Sequence, residues 1–490
     1  METVAVIPGI ESVAELLEPL KRLPWGSLRQ FWLSDILVGR NSVLIFAALL
    51  PLLLAARLFS AQHLRLAIVI TGLVFAGYVF GLAYLVFWVL SCLAFYRLSE
   101  QFAIEVRRTD VYPWAPPLAA GAILVGYFVF AHVIDNVRLS AATNRWLLEN
   151  AAILWPLGAR GFDWEPNWFL RRGTPQFFYL IFHRSHEVGT AYLVMRMLHY
   201  FSEIKRGSIL PQQRSLLHFL AYVCYVPTLI QGPIERYQEF QSEVENCCRR
   251  WRLRDLLVGI WRIGLGVGKW GFTLAYFLPW VNRLGLAKRS FIEHPERTGS
   301  YLLLFFSIHL TVFLLYLLFS AYCDIAIGIS RLAGIRLVEN FRRPFIARSL
   351  TDMWRRWHIS LSFILRDYIY FPLIRRRWNP WAAAVASFLI CGLWHELQTG
   401  YALWGIVMGL MVAVNQHWTR LMRDLQRRPG HFLAKLQRFW RKLHPLPWVC
   451  SWLLAQNAFV LSGWVCFWGL RGFVVLGEIF WRPIRLLLGL

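Results

Sequence analysis

The chain has 490 residues, 57% of them hydrophobic and only 16% charged, with a formal net charge of +24. That balance, with a mean hydropathy of +0.45, excludes a soluble globular protein, which has no use for so many long apolar runs. Nucleic-acid binding is also set aside, because the basic residues gather beside apolar runs rather than along a soluble face.

In chain order, the start Met-Glu-Thr lacks a basic region followed by an apolar core, so no cleavable signal peptide is expected. Ile10, Val13, Leu16, Leu17 and Leu20 recur at helical spacing among Glu11, Glu15 and Glu18, which predicts a short interfacial helix within the N-terminal segment 1–40. Apolar runs follow at 43–58, 66–97, 115–134, 215–232, 255–281, 301–330, 380–394, 399–415, 448–470 and 472–488. A membrane span needs about 20 apolar residues, and the runs 66–97 and 301–330 suffice for two helices each or for one long tilted helix. The expectation is an all-α integral-membrane protein with about 10–13 embedded helices. It forms a single domain over 1–490 that closes with membrane helices at 448–490. The 25 tryptophans fit interfacial aromatic belts.

Between the runs, 135–175 reads as a polar loop, and 233–254 and 283–300 read as charged connectors. Residues 416–447 read as a basic amphipathic helix broken at Pro429-Gly430, with 421–447 as its cytosolic part. Segment 341–377 holds nine Arg against Asp352 and Asp367, and segment 418–442 holds eight Lys or Arg against Asp424. Both flank apolar runs, so the positive-inside rule puts them on the cytosolic side, where they can meet membrane lipids or a polyanion such as coenzyme A. Cys247-Cys248 lies beside a basic run; two unmodified juxtamembrane thiols are the simpler reading, acylation the other.

Ionisable groups at membrane depth are functional candidates, because they are costly unless they face protein or water. Segment 350–374 has helical apolar periodicity yet carries Arg355, Arg356, His358, Arg366 and Asp367, followed by Tyr368, which predicts a re-entrant or cavity-lining helix. On such a helix Trp354, His358 and Ser362 share one face, and Ser362 can fix the tautomer of the imidazole. The plainer alternative is a histidine satisfied by a backbone carbonyl. His395 ends the run 380–394 and precedes Glu396 and a second apolar run, so it can reach a buried cavity from a helix end. A neutral imidazole there can take a proton from a hydroxyl attacking a thioester. Asp324 interrupts the run 301–330; a cap or kink residue tied to the backbone is the simpler reading, a polar cavity floor the other. His183-Arg-Ser-His186-Glu187 is not His-Glu-x-x-His, so no metal site is expected. Gly264, Gly266 and Gly268 follow no strand, and close helix packing in lipid explains them better than a dinucleotide loop.

These residues resemble the membrane-bound O-acyltransferases, most closely the bacterial polysaccharide (alginate-type) O-acetylation proteins. The likeness lies in Pro227-Thr-Leu-Ile-Gln-Gly232-Pro-Ile-Glu-Arg236-Tyr, in Tyr322-Cys-Asp324-Ile-Ala-Ile-Gly, and in the stretch from Glu339-Asn340-Phe341 through Trp354-Arg-Arg-Trp-His358-Ile-Ser-Leu-Ser. It ends with Gly392-Leu-Trp394-His395 and covers the catalytic core 215–420. Departures are Glu396 where the family usually has Gly, Ile374-Arg-Arg-Arg where it often has Gly-Gly-Asn-Arg, and a loose match over 176–206.

The resemblance implies a ring of tilted and re-entrant helices around a central tunnel, in the bacterial inner membrane. It implies His395 as catalytic base and His358 as a second site residue. Trp354 and Trp394 would line the tunnel, and Arg355, Arg356 and Arg366 would hold the cytosolic mouth or meet donor phosphates, or else serve structurally as lipid-headgroup anchors. The implied activity is transfer of an acetyl or other short acyl group from a cytosolic thioester, most simply acetyl-CoA, toward a polysaccharide hydroxyl. No bound cofactor is implied, and a periplasmic acetyl-accepting or acetyl-transferring protein is an implied partner. D-alanyl transfer from a carrier protein to teichoic acid, long-chain acyl transfer, a proton-coupled transporter and a non-catalytic scaffold are the alternatives; the absence of an inverted repeat in the sequence weighs against the transporter.

Overall fold

The computed structural model of the chain describes residues 40–80, 82–109, 121, 185–247, 252–277, 301–395, 399–427, 432 and 449–463. Every regular element among them is helical. That is what apolar runs of this length demand, since a helix satisfies its backbone polar groups within one segment. The helices are α1 (Arg40–Arg57), α2 (Ala61–Phe80), α3 (Leu82–Thr109), α4 (Ser185–Lys205), α5 (Leu216–Val223), α6 (Tyr237–Cys247) and α7 (Leu253–Phe272). There follow α8 (Tyr301–Leu332), α9 (Leu350–Trp354), α10 (Ile359–Ile364), α11 (Phe371–Arg375), α12 (Pro380–His395), α13 (Thr399–Gln426) and α14 (Val449–Gly463). Among the described residues, the segment His309–Leu332 of α8 is long and apolar enough to cross a membrane; Ala61–Gly77, Pro380–His395 and Val449–Gly463 are shorter apolar helices.

The run 66–97 divides between α2 and α3, whereas 301–330 lies in one helix. The run 215–232 is not a span. α5 ends at Val223, where buried Arg196 of α4 reaches in and takes the carbonyls of Tyr222 and Val223, both at 3.2 Å, together with Thr228. Pro227 and a positive-φ Gly232 then turn the chain away. The apolar run 399–415 and the first part of the expected basic helix, residues 416–426, form the single helix α13, whereas Pro429-Gly430 and the stretch 433–447 lie outside the described residues. The 10–20 helix, the 135–175 loop, the 283–300 connector and the 472–488 run lie outside the described residues, as does the 115–134 run apart from residue 121.

Two helix pairs pack almost backbone to backbone. In α7 a Cβ on Gly266 would lie 2.6 Å from the Ala321 carbonyl of α8, so this glycine is there for close approach. Gly264 and Gly268 face open space and need another explanation than packing within the described residues. In the second pair, α12 starts at Pro380 with the Asn379 side chain accepting from Trp381 N–H at 2.8 Å. A Cβ on Gly405 of α13 would lie 2.3 Å from Phe388 O of α12. Gly405→Leu is therefore expected to force α12 and α13 apart and to cost about 1–3 kcal/mol or more. The check is the thermal midpoint and monodisperse yield of the purified variant, and unchanged values would refute the close packing.

Among the described residues the buried hydrophobic side chains form one cluster around α2 to α6, another in which α4, α8, α9, α10, α12, α13 and α14 converge, and a small third one between α7 and α8. The second cluster contains His358's neighbours and positions the site.

Candidate active site

The predicted continuous helix across 350–374 is broken near its start, at residues 355–358. α9 stops at Trp354 because the incoming segment 340–342 captures the backbone: Arg342 N–H donates to Arg356 O at 2.9 Å, and Ile359 N–H donates to Asn340 O at 3.0 Å. His358 lies in the break with φ 42° and ψ 55°, the left-handed region, and α10 starts after it. For a residue with a Cβ that conformation costs about 1–2 kcal/mol, a strain that persists only where surrounding contacts impose it. A π-helical segment, Leu365–Tyr370, then joins α10 to α11.

The break removes the expected tie to Ser362. That hydroxyl donates instead to Trp357 O at 3.4 Å. The imidazole is held by Asn340, whose fully buried Oδ1 stands 3.2 Å from His358 Nδ1 and also accepts from Ser360 N–H at 3.2 Å and Ser360 Oγ at 2.9 Å. The Ser360 amide is a donor, so it must face the amide oxygen of Asn340, not the nitrogen. His358 therefore carries its proton on Nδ1, and Nε2 is the acceptor. Nε2 meets the hydroxyl of Tyr192, from α4, at 3.3 Å. Phe319 packs edge-on against the imidazole at a centroid separation of 4.9 Å.

Trp394 joins the two histidines. Its Nε1–H is pinned to Ala191 O at 2.8 Å, and its ring lies 6.3 Å from the His358 ring and 4.7 Å from that of His395. His395, at the end of α12, is exposed, whereas His358 is buried. Tyr401 and Trp404 of α13 flank His395 at 6.2 and 5.9 Å. Trp354 packs on Phe388, Phe459 and Trp404, and its buried Nε1–H has no hydrogen-bond partner among the described residues. The arrangement can hold one buried and one accessible imidazole against an aromatic wall, with proton-accepting capacity on each.

The other predicted site residues divide. Asp324 is not tied to the backbone; Lys269 and Arg262, both on α7, reach its carboxylate at 2.6 and 2.7 Å, which makes it an inter-helix ion pair. Arg356 pairs with Asp352 at 3.0 Å, and Arg355 is exposed. Arg366, Asp367 and Tyr368 are drawn into a different cluster. Asp367 binds Arg366 and Arg236, both at 2.7 Å. The Tyr368 hydroxyl lies between His199 Nδ1 at 2.5 Å and Glu203 Oε1 at 2.8 Å. His199 Nε2 in turn accepts from Tyr237 N–H at 2.7 Å, so every polar atom of that ring is occupied and its role is to fasten α4 to the 232–237 turn. In the same turn, burial pushes the Glu235 carboxyl up to about 8, held back by the hydrogen bond from Val338 N–H and reinforced by Glu239. Glu396 and His183 lie outside the described residues.

Asn340, Tyr192, Arg262 and Lys269 were not singled out in the sequence. Asn340 stands inside the Glu339-Asn340-Phe341 stretch, which is a signal. Tyr192 belongs to the loosely matching 176–206 segment and offers none.

The family described as MBOAT, membrane-bound O-acyltransferase family, matches residues 143–431. The probable alginate O-acetylase AlgI of Pseudomonas putida is 31% identical over 297 residues, 59% of this chain and 53% of that protein. The peptidoglycan O-acetyltransferase of Helicobacter pylori is 27% identical over 388 residues, 72% of this chain and 67% of the relative. The teichoic acid D-alanyltransferase of Bacillus subtilis is 29% identical over 237 residues, 46% and 58% respectively. The chain spans about half the length of the alginate O-acetylases it matches, 53% and 52% in two of them.

Proposed function

Since the chain belongs to the membrane-bound O-acyltransferase family, we propose that it moves an acetyl or other short acyl group from a cytosolic thioester, most simply acetyl-CoA, across the bacterial inner membrane to a polysaccharide hydroxyl. The last step runs directly to the acceptor or through a periplasmic acetyl-transferring protein. Likeness to proteins named for O-acetylation of alginate and of peptidoglycan supports the acyl group and the acceptor class. A multi-pass ring of tilted helices around a tunnel would bring donor and acceptor to opposite ends of one passage, with the basic segments on the cytosolic side.

One observation carries the reading: two imidazoles meet the same indole, Trp394, one of them accessible and the other oriented by a buried amide. In the proposed step His395 takes the proton of the acceptor hydroxyl as its oxygen attacks the thioester carbonyl. The new C–O bond forms, the C–S bond breaks, and the imidazolium returns the proton to the departing thiolate. His358, with Nε2 as acceptor, serves as second base or orients the reacting hydroxyl, and the Tyr192 hydroxyl marks where an incoming O–H would sit. Trp354 and Trp394 wall the passage.

Two measurements test this. Mass spectrometry of cell-surface glycans with and without the protein is expected to differ by one acyl unit; identical spectra would end the proposal. An alanyl difference, with dependence on a carrier protein, would favour the D-alanyl reading that the similarity to the Bacillus subtilis protein supports. His358→Ala is expected to lower labelled-acetyl transfer about 100-fold without abolishing it. Undiminished transfer would reduce His358 to a structural residue.

A further inference from the structure

The 232–237 turn supports the His358 site through two strands of contact. Ile234 N–H donates to Ser360 Oγ at 3.0 Å, and Ser360 Oγ–H donates to Asn340 Oδ1 at 2.9 Å, the oxygen that holds His358 Nδ1. The next side chain, Glu235, accepts from Val338 N–H at 2.8 Å, two residues before Asn340. These contacts close a ring through Glu235, Ile234, Ser360, Asn340 and Val338. Tyr222 of α5 steadies the same turn by donating its hydroxyl to Glu235 O at 2.7 Å. Of the five residues in the ring, Glu235 is the one that can change its charge.

Glu235 is 4% exposed, and the cations near it are spent elsewhere. Arg196 of α4 serves the carbonyls of Tyr222, Val223 and Thr228, and Arg336 holds both oxygens of Asp255. Glu239 and Glu243 of α6 share with Glu235 the wall of a cavity of about 400 Å³. Tyr222 and Tyr225 are its other titratable neighbours. Burial raises the carboxyl to about 8; Val338 N–H and Arg196 pull against the rise, and Glu239 and Glu243 add to it. The neutral acid therefore suits the ring. Once ionised, it is an unpaired buried charge beside two like charges, which a single amide hydrogen bond does not offset. Hydration through the cavity relieves that charge and draws the carboxylate away from Val338.

We propose that Glu235 is a positioning residue for His358: its neutral carboxyl braces the turn against the segment 338–340, and its ionisation releases that brace and with it the orientation of the imidazole. The carboxyl touches no reacting atom; it acts through Val338, Asn340 and Ser360. Folding favours the protonated carboxyl, so the stability it lends is complete below the ordinary value of 4.5 and is lost as pH rises through about 8. Ionisation in the folded protein puts an alkaline limb on transfer. That effect on transfer rests on the acyl-transfer reading; the brace and its hold on His358 do not.

The test compares the full-length protein with Glu235→Gln, which keeps an oxygen for Val338 N–H and cannot ionise. In membranes, the ratio of labelled-acetyl transfer at pH 7 to that at pH 9 is expected to be about 10-fold larger in wild type than in Glu235→Gln, following the protonated fraction of a group that titrates near 8. The difference is expected in kcat and not in KM for acetyl-CoA, because the brace holds no donor. A second arm needs no turnover. Protein labelled with nitrogen-15 at histidine, in phosphatidylcholine nanodiscs, reports the His358 tautomer by NMR, assigned by the signal missing from His358→Gln. Raising the pH from 7 to 9 is expected to shift or broaden the Nδ1–H signal in wild type and to leave it unmoved in Glu235→Gln. Glu235→Ala, which removes the acceptor, is expected to show the disturbed signal at both pH values. An unmoved wild-type signal, the same movement in Glu235→Gln, or equal transfer ratios in the two proteins overturns the proposal. Signals that respond as expected in a protein that transfers no acetyl would sink the acyl-transfer reading and leave the brace standing.

Discussion

His395→Ala is expected to abolish acyl transfer while membrane abundance stays at the wild-type level. General acid–base catalysis contributes about 10²–10⁴-fold, and a thioester meeting an unactivated sugar hydroxyl depends on that assistance. The ring lies at the end of α12, accessible, with Trp394, Tyr401 and Trp404 around it, so its removal takes away a proton acceptor and leaves the α12–α13 contact intact. The measurement is labelled-acetyl transfer in membranes, normalised to protein by immunoblot. Transfer at the wild-type rate would show that the base is elsewhere. His395→Gln, which keeps hydrogen bonding and removes basicity, is expected to be equally inactive.

The second large effect is expected from Asn340, a residue that need touch no substrate. Asn340→Leu leaves His358 Nδ1–H, Ser360 N–H and Ser360 O–H without their acceptor, and each orphaned buried donor costs about 1–3 kcal/mol. The left-handed backbone of His358 then loses the contacts that offset its strain. Transfer is expected to fall about 100-fold, with a lower thermal midpoint, because the imidazole loses both its tautomer and its orientation. Asn340→Asp keeps an acceptor for the same three donors and is expected to be distinctly more active than Asn340→Leu. Wild-type rates in the leucine variant would rule out the amide as the orienting group.

Both histidines were legible as residues, because an ionisable group flanked by apolar runs stands out in any reading of the chain. Their geometry was not. The 3.6-residue period of segment 350–374 pointed to one helix with Ser362 beneath His358, and period is a local property. The backbone of 355–359 was instead claimed by residues 340–342, which lie some fifteen positions earlier. The same kind of override separated Asp367 and Tyr368 from the site: Arg236 and His199, far away in sequence, drew them into another cluster. For Asp324 the simpler expectation failed because its cationic partners are on a different helix.

Hydropathy and charge order are written along the chain, so helical character, membrane affinity, family and the identity of the two imidazoles could be recognised before any fold was known. Which atom of His358 holds its proton, which tyrosine faces it, and which backbone amide Glu235 meets depend on contacts between segments distant in sequence. Such contacts are selected by three-dimensional packing and by the need to satisfy every buried donor, and no periodicity or composition encodes them.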